Sequence, residues 1–223
     1  ARHGALKLRA PLDYGFARTL QAVPVGLSEI SLAAQWYPIA FSEGEGCRPL
    51  ALLGFRPGEN LFVDENGAWR EGAQVPALIR RFPFLLANVE GQDVLFIETA
   101  PEILGDGEDG APLYEGTEPS RLVRSALRLC RGVAADEAGT TDFVAALKGL
   151  DLLDTRTATA ELAGGRRVSV SGFLTIDEGR FRALDDATFL DLRRRGWLAL
   201  IYAQIHSTLN WSRLADQVGA RAA

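Results

Sequence analysis

Residues 105–119 read Gly-Asp-Gly-Glu-Asp-Gly-Ala-Pro-Leu-Tyr-Glu-Gly-Thr-Glu-Pro, and the chain changes character across them. Before this stretch, short apolar runs are broken by Gly, Pro and Asn and alternate with a period of two. After it, apolar residues recur at helical spacing. Leu122, Ala126, Leu129, Cys130 and Val133 share one helical face, behind a start signal at Thr117 to Pro119. Acid, Gly and Pro between two periodicities predict a linker at 105–119, a β-rich part over 1–104 and a helical-plus-meander part over 120–223. Neither part is rich enough in strands to close alone. The expectation is therefore one domain over residues 1–223, of α+β class, with C-terminal helices packed back on the sheets.

Toward the N-terminus, Pro11 and Pro24 predict an irregular arm. Ser28 stands where it would cap a short helix carrying Ile30, Ala33, Ala34 and Tyr37, and Pro38 ends it. Ile39 to Phe41 reads as a strand. Residues 49–55 and 60–64 flank Arg56-Pro57-Gly58-Glu59 and predict a hairpin; Glu65-Asn66-Gly67 is a further tight turn ahead of Trp69. Pro76 opens a short helix over 77–82 that Pro83 closes, and residues 84–89 and 94–98 predict a strand pair around Gly91-Gln92.

Toward the C-terminus, Gly139 and Thr140 begin another helix with Phe143, Leu147 and Leu150 inward. Residues 157–162, 167–176 and 181–184 predict a three-stranded meander, turning at Gly164-Gly165 and at Asp177-Glu178-Gly179. Asp185 caps a helix with Asp186 and Asp191 early and Arg193, Arg194 and Arg195 late, as its dipole favours. Gly196 caps or bends it, and a last helix covers about 197–214 with Leu198, Ile201, Ile205 and Leu209 buried. Leu61 to Gly67 echoes Phe173 to Gly179, which two turns of the same chemistry explain better than a duplicated binding loop.

Composition narrows the function. With 223 residues, 47% hydrophobic and 24% charged, the chain can build a core without a disulfide or metal staple. No apolar run approaches the roughly 18 residues of a membrane span. No signal peptide is visible, so a cytoplasmic location is expected. A net charge of −5 disfavours nucleic acid. Cys47 and Cys130 are isolated and fit a reducing compartment. His3 and His206 are the only imidazoles, and no Cys-x-x-Cys or His-Glu-x-x-His occurs, so neither a metal nor another cofactor is expected. Phosphate-binding glycine loops and a Gly-x-Ser-x-Gly elbow are missing as well. Asp106 to Gly110 lacks the ligand ladder of a calcium loop.

Two constellations are candidate ligand sites. Arg80, Arg81 and Phe82, joined by Trp36, Tyr37 and Trp69, combine arginine with aromatic rings, a pairing that suits anions or carbohydrate. The plainer reading is a short helix with rings on the core and arginines in solvent. Tyr202, His206 and Asn210 lie at i, i+4 and i+8 and would share a helical stripe, or merely an exposed face. Asp64, Asp177, Glu178 and Asp185 flank strands, and two of them at the right separation could hydrolyse a glycoside; turns and caps are the structural alternative.

The segments also resemble the SapC family in order and spacing. The resemblance runs from Asp13-Tyr14-Gly15-Phe16-Ala17 and Gln35-Trp36-Tyr37-Pro38-Ile39 through Leu53-Gly54-Phe55, Asn60-Leu61-Phe62-Val63-Asp64 and Trp69. It continues through Ile79-Arg80-Arg81-Phe82-Pro83-Phe84, Glu118-Pro119-Ser120, Ile176-Asp177-Glu178 and Ile201-Tyr202-Ala203. Gly15 stands where the pattern has serine, and Gln204 where it has histidine. The resemblance implies a bacterial family linked by name to surface layers and carries over no catalytic activity. The leading expectation is a non-catalytic binding protein of surface-layer or envelope physiology, with an unidentified protein, small-molecule or glycan partner. The alternative is a hydrolase with paired carboxylates. A homodimer through Trp197 and Trp211 is a third expectation.

Overall fold

The computed structural model describes residues 6–9, 13–105, 110–161 and 167–221. His3 and the turn at Gly164-Gly165 lie outside them. The strands are β1 (Lys7–Leu8), β2 (Ala22–Pro24), β3 (Ile39–Ser42), β4 (Pro49–Leu52), β5 (Phe84–Val89), β6 (Gln92–Ile97), β7 (Leu104–Gly105), β8 (Ala111–Pro112), β9 (Tyr114–Glu115), β10 (Glu118–Pro119), β11 (Leu153–Glu161) and β12 (Arg167–Ile176). The helices are α1 (Ile30–Ala33), α2 (Ala77–Arg80), α3 (Arg121–Gly149), α4 (Glu178–Arg182), α5 (Asp186–Arg194), α6 (Trp197–Ser207) and α7 (Asn210–Arg221). Antiparallel sheets with segregated helices make the fold α+β. Two compact units emerge, Ala1–Asp13 with Ala77–Ala135 and Tyr14–Pro76 with Asp136–Ala223.

In the first unit, β1 pairs with β7 and β8, and β9 with β10. The hairpin β5–β6 keeps the register Phe84↔Ile97 to Val89↔Gln92 and turns through Glu90 and Gly91 at φ 52° and 83°, the two left-handed residues of a type I′ turn. Leu8, Phe84, Leu104, Leu113, Ala126 and Cys130 form the core. The stretch expected as a linker is therefore structured where it is described: Leu113 is buried, and its neighbours form β8, β9 and β10. An apolar residue amid acids and glycines anchors it. Asp106 to Asp109, including the calcium-like portion, lie outside the described residues.

The second unit is built on a five-stranded antiparallel sheet in the order β11-β12-β3-β4-β2. Central β3 is buried at Ile39, Ala40 and Phe41. Its pairing with β12 reaches only from Phe173↔Ser42 to Leu174↔Phe41. Beyond that point the strands diverge and α6 supplies the missing bonds. Gln204 accepts from the Ile176 N–H at 3.2 Å and donates to the Ile39 carbonyl at 2.9 Å. Ser207 Oγ accepts from the Ile39 N–H at 2.9 Å and donates to the Gln204 carbonyl at 2.6 Å. A buried strand must satisfy its backbone, and here a helix does so with side chains.

Several sequence expectations are corrected. Residues 60–64 do not form a second hairpin strand with β4, whose neighbours are β2 and β3. Buried Asn60 turns the chain away by donating to the Ala17 carbonyl at 2.9 Å while its own oxygen takes the Phe62 N–H. Gly54 permits the close approach this requires, since a Cβ there would lie 2.3 Å from the Glu59 carbonyl oxygen. Ser28 does not cap α1; its hydroxyl donates to Asp136 at 2.6 Å. Helix α3 runs unbroken through Gly139 and Thr140, because Thr140 Oγ1 is satisfied inside it by the Asp136 carbonyl and accepts from the Leu27 N–H. The third meander strand is helix α4 instead, capped by Asp177, whose carboxylate accepts from the Arg180 N–H.

The last helix is two. Helix α6 ends at Ser207 and α7 begins at Asn210. Leu209, expected inside, is 73% exposed in the turn between them. Trp197 and Trp211, expected at a dimer contact, pack on rings of their own unit: Trp197 on Phe143 at 5.6 Å, Trp211 on Phe55 and Phe173 at 5.4 and 5.5 Å. Asp185 caps α5 as expected, accepting from Thr188 N, and Gly196 at φ 74° breaks α5 from α6.

Two outcomes test this architecture. Gln204→Leu strands one buried N–H and one buried carbonyl, so urea unfolding should show a loss of about 2–4 kcal/mol; a loss below about 0.5 kcal/mol would show that the clamp carries no load. Backbone bonds from Thr188 chiefly lower the Asp185 pKa, and bonds from Arg180 that of Asp177. A lowered folded-state pKa contributes stability above the unfolded value and loses it as pH falls through the folded one. The stability difference between wild type and Asp185→Ala should hold steady down to roughly pH 4 and close below it.

Candidate functional site

The site-bearing segment begins at the tight turn after Phe62. Asp64 Oδ1 accepts from Asn66 N at 2.9 Å and Ala68 N at 2.8 Å, and a single bridge joins Val63 to Trp69. Arg18 holds the turn from outside through the Asp64 and Glu65 carbonyls. Asp64 is thus a turn-former that delivers Trp69.

Trp69 Nε1 donates to the Tyr37 hydroxyl at 3.2 Å, and that hydroxyl donates to the Gln74 carbonyl. Burial pushes the Tyr37 phenol well above its ordinary range, so it stays protonated. Phe62 stacks near Trp69 at 6.2 Å and meets Tyr37 edge-on at 4.5 Å; Tyr14 closes the other side of Trp69 at 5.5 Å. Tyr37, Phe62 and Trp69 are buried and make a rigid aromatic floor.

Above that floor lie two adjoining depressions of about 470 Å³ each. Leu61, Asp64, Trp69 and Glu71 line one, Trp36, Arg213 and Asp216 the other, and Phe62, Arg70 and Gln217 belong to both. Together they form one open groove. Helix α7 supplies Arg213, Asp216 and Gln217 from one face, at i, i+3 and i+4. Asn210 sets its position by donating to the Ala34 and Tyr37 carbonyls at 2.8 and 3.2 Å, and its oxygen accepts from Arg213.

The groove's polar groups are poorly used within the molecule. Gln217 Oε1 is buried and accepts no hydrogen bond; Gln74 Oε1 shares this condition outside the groove. Among the described residues, the half-buried Trp36 indole N–H and the exposed Arg70, Glu71 and Asp216 side chains have no protein partner. A third depression, of about 460 Å³, lies beside Trp197, whose indole N–H likewise has no partner. There Thr188 bonds Asp185, and Arg195 bonds Asp191 while lying 4.9 Å over the Trp197 ring.

Of the residues singled out from sequence, Trp36, Asp64 and Trp69 line the groove and Tyr37 supports it from beneath. Arg80, Arg81 and Phe82 belong to the first unit, at the end of α2. The arginines that accompany the tryptophans within the second unit are Arg70 and Arg213. Tyr202 and His206 stay neighbours, their rings 6.3 Å apart on the exposed face of α6, whereas Asn210 is buried in α7. Sequence reasoning missed Arg70, Arg213, Asp216 and Gln217. The clue was there in Arg213, Asp216 and Gln217 at helical spacing, but nothing local says which face α7 turns toward Trp36.

Chemically, the groove offers a bound molecule an aromatic floor flanked by side chains of both charges, Arg70 and Arg213 with Glu71 and Asp216. Asp177 and Asp185 are pulled below the ordinary aspartate range by backbone bonds, the direction opposite to a general acid's need. Among the described residues, no three His, Cys, Asp or Glu side chains gather as a metal site would require. No helix among them is long and apolar enough to cross a membrane.

An α+β chain with a ligand-sized aromatic groove is the class that fold and site define. The chain belongs to the SapC family, whose model matches residues 1–214. No curated protein and no solved structure matches it.

A buried oxygen without a partner carries a desolvation cost of about 1–3 kcal/mol. Gln217→Leu should therefore raise the stability of the ligand-free protein by about 1 kcal/mol in urea unfolding. A loss of similar size would show that the amide is satisfied in solution.

Proposed function

We propose that this is a non-catalytic binding protein that holds a small ligand in the Trp36–Trp69 groove and serves surface-layer or envelope physiology from the cytoplasm. One observation carries the reading: half-buried Trp36, two arginines and the Glu71 and Asp216 carboxylates flank a rigid aromatic floor in an open groove of ligand size.

The paired-carboxylate alternative draws on Asp64, Glu71 and Asp216, which line the same groove. Asp64 is occupied by turn amides, so it serves that role poorly. The surface-layer part of the reading rests on the family's name.

A thermal-shift screen with sugars, peptides and small anions tests the site. A ligand that binds only the folded chain raises Tm with concentration over Kd. The expected result is a hit whose shift falls sharply in Trp36→Ala and in Arg70→Ala. Hits whose shifts survive both substitutions would place binding elsewhere and sink the groove as the site.

A further inference from the structure

We infer that the outer face of α6 is the contact through which two copies of this chain pair, helix against helix and antiparallel. The groove takes no part in it. Residues 197–212 contain no Asp, Glu, Lys or Arg, in a chain where such residues make up 24%. Charges normally mark the solvent face of a helix, and a helix without them is normally buried all round. Helix α6 is covered on one side only. Trp197, Ile201, Gln204 and Ser207 turn inward, and the opposite side carries Leu198, Tyr202 and Ile205.

Leu209 extends that stripe. The Thr208 N–H donates to the Ile205 carbonyl at 3.2 Å and the Leu209 N–H to the His206 carbonyl at 3.1 Å, so the chain keeps winding past the end of α6. Leu198, Tyr202, Ile205 and Leu209 thus follow one another at steps of 4, 3 and 4 residues, the spacing at which one helix seats on another. None of the three depressions described above includes them. The stripe is shaped for a helix and not for a small molecule.

A second copy is selected by the way the stripe matches itself. Leu209 is 73% and Tyr202 44% exposed, whereas Leu198 and Ile205 are half-buried. An antiparallel twofold pair that sets Leu209 opposite Leu198 of the second copy also sets Tyr202 opposite its Ile205. Each protruding side chain meets a recessed one, and the axis repeats both matches. With no acidic or basic residue in the segment, the pairing brings no like charges together. From Leu198 to Leu209 the stripe runs roughly 16 Å. A seam of that length buries less than about 1,200 Å² in total, so the pair is weak and concentration-dependent.

Sedimentation velocity of the full chain from about 5 to about 500 µM tests this. The mass should rise with concentration from that of one chain toward that of two and no further. Leu209→Glu, at an exposed turn position, should weaken association by roughly tenfold or more and leave the fold intact. Leu198→Lys combined with Leu209→Glu should recover most of it. Each lysine then faces a glutamate across an antiparallel pair, whereas a parallel pair would set like charges together. Leu85→Ser removes a comparably exposed apolar residue, 48%, from β5 in the first unit and should leave association unchanged.

A mass of one chain at every concentration overturns the inference and leaves the face to another partner. Association that survives Leu209→Glu, is lost in Leu85→Ser or grows past two copies overturns it as well. A folded double variant that associates no better than Leu209→Glu overturns the antiparallel arrangement. Should the double variant fail to fold, Leu209→Glu and Leu85→Ser decide the surface between them.

Discussion

The second unit depends on how a buried strand is satisfied where its neighbour has parted from it. Strand β3 is central and buried, and β12 accompanies it for only two residue pairs. Past that point, unpaired N–H and C=O groups of Ile39 and Ile176 would face the core at a cost no apolar packing recovers. Gln204 and Ser207 close the gap from α6, so a helix does the work of a ladder rung.

That clamp inverts the usual logic of an amphipathic helix. Helix α6 turns Gln204 and Ser207 inward with Trp197 and Ile201, while Tyr202 and His206 face solvent. Hydrophobic spacing read from sequence places Leu198, Ile201, Ile205 and Leu209 inside, and only Ile201 of these is fully buried. The error follows from the chemistry: the inward face is chosen by two open backbone groups on strands far away in the chain, and periodicity carries no record of them. The same gap explains the missed break before α7. Asn210 looks like one more polar tip on a stripe until the Ala34 and Tyr37 carbonyls draw it inward.

Local chemistry was legible and its consequences less so. The strand pair around Gly91, the cap at Asp185 and the turn at Asn66-Gly67 follow from residues within a few positions of one another. The two Asp-Glu echoes show where such reading stops. Asp64 and Asp177 both accept from backbone amides just downstream, yet one closes a reverse turn and the other starts a helix. The side chain behaves alike in each; the residues after it decide. Candidate site residues divide along the same line. Trp36, Asp64 and Trp69 were readable because aromatic residues and turns cluster locally, whereas Gln217 enters the groove only through the placement of α7.

The clamp and the groove stand in opposite relation to stability. At Ile39 and Ile176 the chain spends two polar side chains so that no buried group is left open. Near Trp36 the same unit tolerates a buried amide oxygen, Gln217 Oε1, without a partner. A fold that closes its own ladder so completely has the means to do the same in the groove, and a leucine at residue 217 would be the simplest way. Marginal stability leaves room for only a few such open groups in one domain. The buried oxygen of Gln217 is thus a local cost in the wall of the groove, whereas the exposed Arg70 and Asp216 are met by water.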